Sequence, residues 1–310
     1  MYKRLLVPLD GSKLAEIALP YAEEMARHLG SEIILVNVRT PAEYINKPEQ
    51  REYLTVMAAK TEQNIKKSTD KPQGEKVKVA SAIIGSPGIL THPAEQILDY
   101  AEKENVNLIV MATHGSTGIR RWALGSTANN IARAFKCPIL LVRASTAAPK
   151  SVHLNRILVP LDGSKQSEAA LPYIEYLASK LKTRVSLLSV VEMLYHIYPY
   201  TEPLGYYGAS GIMKVPYNEE EMKPMQEVAE KYIKSVNDKL NAGGIKTSYE
   251  VRTGSPGEEI IKAEEEMKPD IVAMSTHGHS GFGRFDHGSV ADKVLHGGNT
   301  PLLLVRPKQA

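Results

Sequence analysis

Two short residue patterns in this sequence have the types and spacing that can hold a phosphorylated ligand, and each occurs twice. Asp10-Gly11-Ser12 follows the apolar run Leu5–Leu9, and Asp162-Gly163-Ser164 follows Ile157–Leu161. The second pattern opens on His114-Gly115, passes Gly118 and Arg121, and closes on Gly125-Ser126, with nine residues between Gly115 and Gly125. Its copy runs His277-Gly278, Gly281, Arg284 and Gly288-Ser289 with the same spacing. Glycine lets backbone N–H groups approach a ligand closely and adopt positive φ, so such a loop can wrap a chain of phosphates. Ser126 and Ser289 precede helical patterns, and a helix start supplies free N–H donors and partial positive charge. Ser289 with Asp292 has the spacing of a capping box. Arg121 and Arg284 can add a mobile cation, while Asp10 and Asp162 suit a ribose hydroxyl, a base amino group or a metal-bound water. His114 and His277 brace the loop.

The elements that position these residues are also duplicated. Arg4–Ala26 returns at Arg156–Ala178 with an offset of 152, Gly85-Ser86-Pro87 returns at Gly254 with an offset of 169, and the His114–Arg143 block returns with an offset of 163. Three blocks recurring in one order imply two copies of one domain. The predicted boundaries are 1–144, a small polar linker at 145–153, and 154–310. Short apolar runs alternate with helical periodicity: a strand at Arg4–Leu9, a helix over Ser12–Leu29 with Ser12 as N-cap, a strand at Glu32–Val38, a helix near Thr55–Ser68, and so on through Ile139–Val142. This βαβαβαβαβ order with throughout-apolar strands predicts an α/β fold, two doubly wound domains each built on a parallel sheet buried on both faces. Ligands of such sheets sit beyond the strand carboxyl ends, where both patterns fall.

Bulk properties narrow the function. A formal charge of +3 with intermixed signs shows no nucleic-acid groove, so none is expected as partner. Apolar runs fall short of the roughly 20 residues of a membrane helix, and the N-terminus lacks a signal-length core, so a cytoplasmic protein without a membrane partner is expected. The single cysteine, Cys137, allows no internal disulfide and reads as core filler. No second ligand stands at metal spacing from His114 or His277, no Gly-x-Ser-x-Gly elbow appears, and the Gly-Lys-Ser/Thr phosphate loop is missing. A dinucleotide site needs more glycines than Gly11 or Gly163 in the first turn, which disfavours NAD. Glycine turns before a serine also occur in βα loops that hold no ligand, and duplication copies both kinds alike.

At these residues the sequence resembles the universal stress protein family in tandem form. The family signature is Gly, two residues, Gly, nine residues, Gly-Ser or Gly-Thr. Its second and third elements stand here as Gly115 and Gly125-Ser126, and as Gly278 and Gly288-Ser289. Its first glycine is replaced by Ala112 and Ser275, and Asp286-His287 replaces Ala123-Leu124 in the second copy. The resemblance implies five strands per domain in the order 3-2-1-4-5, a Rossmann-like doubly wound layout, and pairing of the two fifth strands as an internal pseudo-dimer, with a homodimer of the tandem chain as a further possibility. It implies an adenine nucleotide (ATP, ADP or AMP, with or without Mg) held by Asp10, Val38, Ala112, Gly115, Gly125 and Ser126, and by Asp162, Val190, Ser275, Gly278, Gly288 and Ser289. The function expected is a nucleotide-binding stress sensor or regulator with at most slow ATP hydrolysis. A genuine slow ATPase and a structural pseudo-dimer with one or no working site are the alternatives.

The second copy also carries a Tyr-rich insertion, about 193–225, with Tyr195, Tyr198, Tyr200, Tyr206, Tyr207 and Tyr217. Its lack of sustained periodicity predicts a loop, serving as lid, subunit contact or self-packed surface segment.

Overall fold

A computed structural model of the 310-residue chain describes residues 1–39, 49–67, 77–85, 92–114, 124–143, 151–201, 210–278 and 288–307, without the side chains of 49–51, 199–201 and 210–211. In the first half, strands β1 (Arg4–Pro8), β2 (Glu32–Val38), β3 (Val79–Ile84), β4 (Leu108–Ala112) and β5 (Ile139–Val142) alternate with helices α1 (Lys13–Glu16), α2 (Leu19–Leu29), α3 (Glu49–Lys67), α4 (Pro93–Lys103) and α5 (Ser126–Ala134). The second half has β6 (Arg156–Pro160), a 3₁₀ turn at Ser167–Ala170, α6 (Leu171–Leu181), β7 (Arg184–Glu192), β8 (Tyr195–Thr201) and β9 (Ser210–Pro216). It continues with α7 (Glu219–Ala242), β10 (Thr247–Gly254), α8 (Pro256–Met267), β11 (Ile271–Ser275), α9 (Ser289–Gly297) and β12 (Leu302–Val305).

The predicted helix over Ser12–Leu29 is broken in two. Pro20 lies in the first turn of α2, because its ring and missing N–H fit a helix start and not an interior. Pro172 does the same for α6. Ser12 caps α1 as expected, its hydroxyl accepting from the Ala15 amide at 3.1 Å.

Ten strands form one sheet in the order β10-β7-β6-β11-β12-β5-β4-β1-β2-β3. Each half therefore reads 3-2-1-4-5 and is parallel within itself. The halves meet where β12 pairs antiparallel with β5, Leu303 opposite Leu140. Central strands are apolar on both faces because helices cover both; β4, β5, β11 and β12 are buried at every residue.

Symmetry-related arginines fasten this seam. The Arg143 guanidinium donates to the carbonyls of Val294 at 2.8 Å, of Thr300 at 3.3 Å, and of Leu295, satisfying the end of α9. Arg306 donates to the Arg133 carbonyl near the end of α5 and lies over the Phe135 ring, 5.3 Å from its centroid. One core cluster joins Leu140 and Val142 to Leu303 and Val305, so the two halves share a hydrophobic interior.

Cys137 sits half-buried just before β5, and burial pushes its thiol up to about 11. Iodoacetamide at pH 8 should therefore alkylate the native thiol roughly 100-fold more slowly than the unfolded one. Equal rates would show that the packing around it is wrong.

Candidate functional site

The two patterns converge at the carboxyl edge of the sheet, where the strand order reverses between β1 and β4 and between β6 and β11. At the first crevice, Asp10 Oδ1 accepts from the Ser12 amide at 2.9 Å and the Ser12 hydroxyl at 2.6 Å. Asp162 and Ser164 repeat both bonds at the same lengths. Each carboxylate is thus fixed by its own turn before any ligand arrives. The turn needs its glycine: Gly11 has φ +86 and Gly163 φ +82. Asn37 of β2 donates to the Leu9 carbonyl at 2.8 Å, tying the end of β1 to the strand that carries Val38. Val38 closes β2, whereas β7 continues two residues past Val190; both valines are half-buried on the sheet face that α4 and α8 cover at these strands.

Opposite the carboxylates, Thr113 Oγ1 meets His114 Nδ1 at 3.1 Å, and Thr276 Oγ1 meets His277 Nδ1 at 2.9 Å. The threonine orients each imidazole. His114 Nε2 is buried without a hydrogen-bond partner, and His277 as a whole is 5% exposed. Ala112 and Ser275 are the last residues of β4 and β11 and are buried within them.

The helix starts differ from expectation in one respect. Ser126 and Ser289 do not act as caps, and the Ser289–Asp292 capping box is not formed. The N-caps are Gly125 and Gly288, which have no side chain to offer, and among the described residues no side chain bonds the first amides of α5 or α9. Those amides therefore remain as donors for an anion. The glycines are also required for another reason than positive φ. Gly125 has φ −60, and its amide donates to the Thr113 carbonyl at 2.9 Å; a Cβ there would lie 3.2 Å from that same oxygen. Gly288 repeats this against Thr276, its Cβ position 3.3 Å from the carbonyl. Gly278 lies against Asp162, where any Cβ would overlap Oδ2. Close approach of backbone to backbone or carboxylate is what these positions demand.

Gly115, Gly118, Arg121, Gly281 and Arg284 lie outside the described residues, as does Asp286-His287. The structure brings together Asp10, Val38, Ala112, His114, Gly125 and Ser126, and their second-half equivalents with Gly278.

Sequence reasoning missed a further pair. Tyr53 of α3 reaches Glu16 Oε1 at 3.4 Å, and Tyr232 of α7 reaches Glu168 Oε1 at 3.0 Å. Burial, then the neighbouring glutamate, raises both phenols well above the ordinary range, with Asp10 or Asp162 adding to the effect. The Tyr232 ring also stands 3.9 Å from where a Gly163 Cβ would be, while nothing lies within 4 Å at Gly11. Glu16 and Glu168 match at the offset of 152, but Tyr53 and Tyr232 differ by 179, outside every repeated block. That mismatch hid the pair.

Fold and loop placement together define a tandem α/β protein of the doubly wound class, with equivalent loop pairs at the carboxyl edges of its two switch points. The chain belongs to the universal stress protein family, whose pattern matches residues 1–143 and again 153–306. Universal stress protein MJ0577 of Methanocaldococcus jannaschii is 32% identical over 163 residues, covering 46% of this chain and 96% of that protein. A universal stress protein of Mycolicibacterium smegmatis is 24% identical over 311 residues, covering 98% of this chain and 97% of its own. The solved universal stress protein of Archaeoglobus fulgidus covers 99% of both chains with a TM-score of 0.62 at 17% identity, a likeness of fold. Among the described residues, no helix is long and apolar enough to cross a membrane.

Proposed function

We propose that both crevices bind an adenine nucleotide and that the protein acts as a nucleotide-responsive sensor or regulator, with binding and not turnover as its task. One observation carries the reading: in each half a helix begins on glycine with its first amides uncapped by any described side chain, across from a carboxylate locked by its own serine. Uncapped amides and the helix dipole suit phosphoryl oxygens. Asp10 and Asp162 accept from a ribose hydroxyl or base amino group, and Val38 and Val190 offer apolar surface to the base. A nucleotide arriving with Mg²⁺ brings phosphate oxygens and water as ligands; of the crevice residues named, only the two aspartates add a carboxylate.

Binding of this kind stabilises the folded form by about 2.7 kcal/mol at one hundred times the dissociation constant, enough to bias a conformation or a partner. The test is calorimetric titration of ATP, ADP and AMP, with the nucleotide released on denaturation identified alongside. Asp10→Ala should weaken the first site about 10-fold to 100-fold, the value of one hydrogen bond to a charged group. Unchanged affinity in Asp10→Ala and Asp162→Ala would remove the carboxylates from the reading. Multiple turnovers of ATP would instead establish the slow ATPase.

A further inference from the structure

The two halves are copies, so the places where they differ are informative. One difference is the Tyr-rich insertion, which forms an antiparallel two-stranded ribbon, β8 with β9, in place of the predicted loop. Another lies at the amino edge of the sheet, away from the crevices. There the first half holds a cavity of about 450 Å³ between α4, the start of β4 and the turn from α5 to β5.

In the second half the equivalent space is closed from within. Glu264 of α8 is 4% exposed, and its Oε1 accepts from the amides of both Asn299 and Thr300. The offset of 163 makes Ala101 the counterpart of Glu264, and Lys136 and Cys137 the counterparts of Asn299 and Thr300. The backbone around these amides is the same in both copies. The Phe135 amide donates to the Ile131 carbonyl at 2.9 Å, as Gly298 does to Val294, and Ile109 donates to Pro138 at 3.0 Å, as Val272 does to Pro301 at 2.9 Å. Phe135 (φ −63, ψ 145) and Gly298 (φ −74, ψ 163), just before each amide pair, share an extended conformation. The first half therefore aims two amides toward a methyl group where the second aims them at a carboxylate. Among the described residues no oxygen accepts from the amide of Lys136 or Cys137. Phe135 fills only part of the difference, because a Cβ at Gly298 would overlap Glu264 Oε2, not the Oε1 that holds the amides.

The walls define the rest of the ligand. Leu98, Val106 and Ile109 give the cavity an apolar floor beside the Cys137 thiol, and the exposed Glu95, Asp99 and Glu102 of α4 stand at its mouth. Lys136 neutralises Glu102, with Nζ 2.7 Å from Oε2. Among the described residues neither Glu95 nor Asp99 has a cationic partner. The second half is balanced at both positions: Glu258 pairs with Lys293 at 2.6 Å, and Lys262 stands in place of Asp99.

We propose that this cavity binds a free amino acid with an apolar side chain. The ligand carboxylate takes the place of Glu264 Oε1 on the Lys136 and Cys137 amides, the side chain covers Leu98, Val106 and Ile109, and the ammonium faces Glu95 and Asp99. A carboxylate without a cation would meet two uncompensated acids, and an amine without a carboxylate would leave the amides unanswered. The volume lies within the range of about 300–1,000 Å³ usual for small-molecule sites. The inference is independent of nucleotide binding.

Cys137, the single cysteine of the chain, lines the cavity and reports its occupancy without any substitution. Of L-leucine, L-methionine and L-phenylalanine, at least one should slow iodoacetamide alkylation of the native protein about 10-fold, with half-protection at about 1 mM or below. The deaminated and decarboxylated analogues of that amino acid should each bind at least about 10-fold more weakly. Glu95→Gln with Asp99→Asn, both at exposed positions, should weaken it about 10-fold by calorimetry with the melting temperature unchanged. Ala101→Glu with Phe135→Gly, which copies the second half, should abolish binding. No protection by any of the three at about 20 mM overturns the proposal. An analogue that binds as tightly as its parent overturns it too, as does affinity unchanged in either double variant.

Discussion

Gly125→Val is expected to weaken nucleotide binding at the first crevice about 100-fold or more, while the second crevice of the same molecule keeps its affinity. The Gly125 amide bonds the Thr113 carbonyl, and a Cβ would lie 3.2 Å from that oxygen and 3.6 Å from the His114 Cα. Alanine can be accommodated by a shift of a few tenths of an ångström. The branched Cγ atoms of valine cannot, so the start of α5 must move away from the end of β4. Two amide contacts to a charged phosphate, each worth about 1.5 kcal/mol or more, are then lost together. About 3 kcal/mol is a factor above 100 in affinity. The second half supplies the internal control, because retention of one tight site per chain reports that the protein is folded. Loss of both sites would mark the substitution as a folding defect, and Gly125→Ala then serves as the milder probe.

Leu303→Ala should cost about 2–5 kcal/mol and lower the melting temperature of the whole molecule in one transition. Leu303 is buried opposite Leu140 in the antiparallel seam, in the core cluster that includes Val142 and Val305. A leucine truncated in such a place loses its transfer energy and leaves a cavity that both halves line. Since Arg143 crosses to the end of α9 and Arg306 to Arg133, neither half can separate without exposing carbonyls and leucines. Differential scanning calorimetry decides the matter. A single cooperative peak moved to lower temperature agrees with a shared core; two peaks, one of them unmoved, would show that the halves unfold separately.

Most of the strand and helix order was legible because apolar runs of strand length alternate with helical periodicity, and because the duplication let each copy check the other. The crevice was legible through Asp10-Gly11-Ser12 and Gly125-Ser126, whose copies hold equivalent places. What local pattern could not show was geometry set by approach distances. Gly125, Gly278 and Gly288 look like flexible-loop residues in the sequence, yet two are N-caps pressed on a carbonyl and the third lies against Asp162. Serine after glycine suggested a cap, but the helix starts one residue too early for Ser126 or Ser289 to fill that role. Pro20 split a helix whose periodicity ran straight through it. The ribbon was missed since turn residues and prolines interrupt its alternation, and Tyr53 with Tyr232 because their spacing follows the crossover helices, not the repeated blocks.

Counting bound nucleotide per chain by calorimetry, in the unsubstituted protein and in Gly125→Val, goes to the centre of the account. Two sites falling to one is the result it predicts. No binding by the unsubstituted protein, or two sites of unchanged affinity in the valine variant, would contradict it.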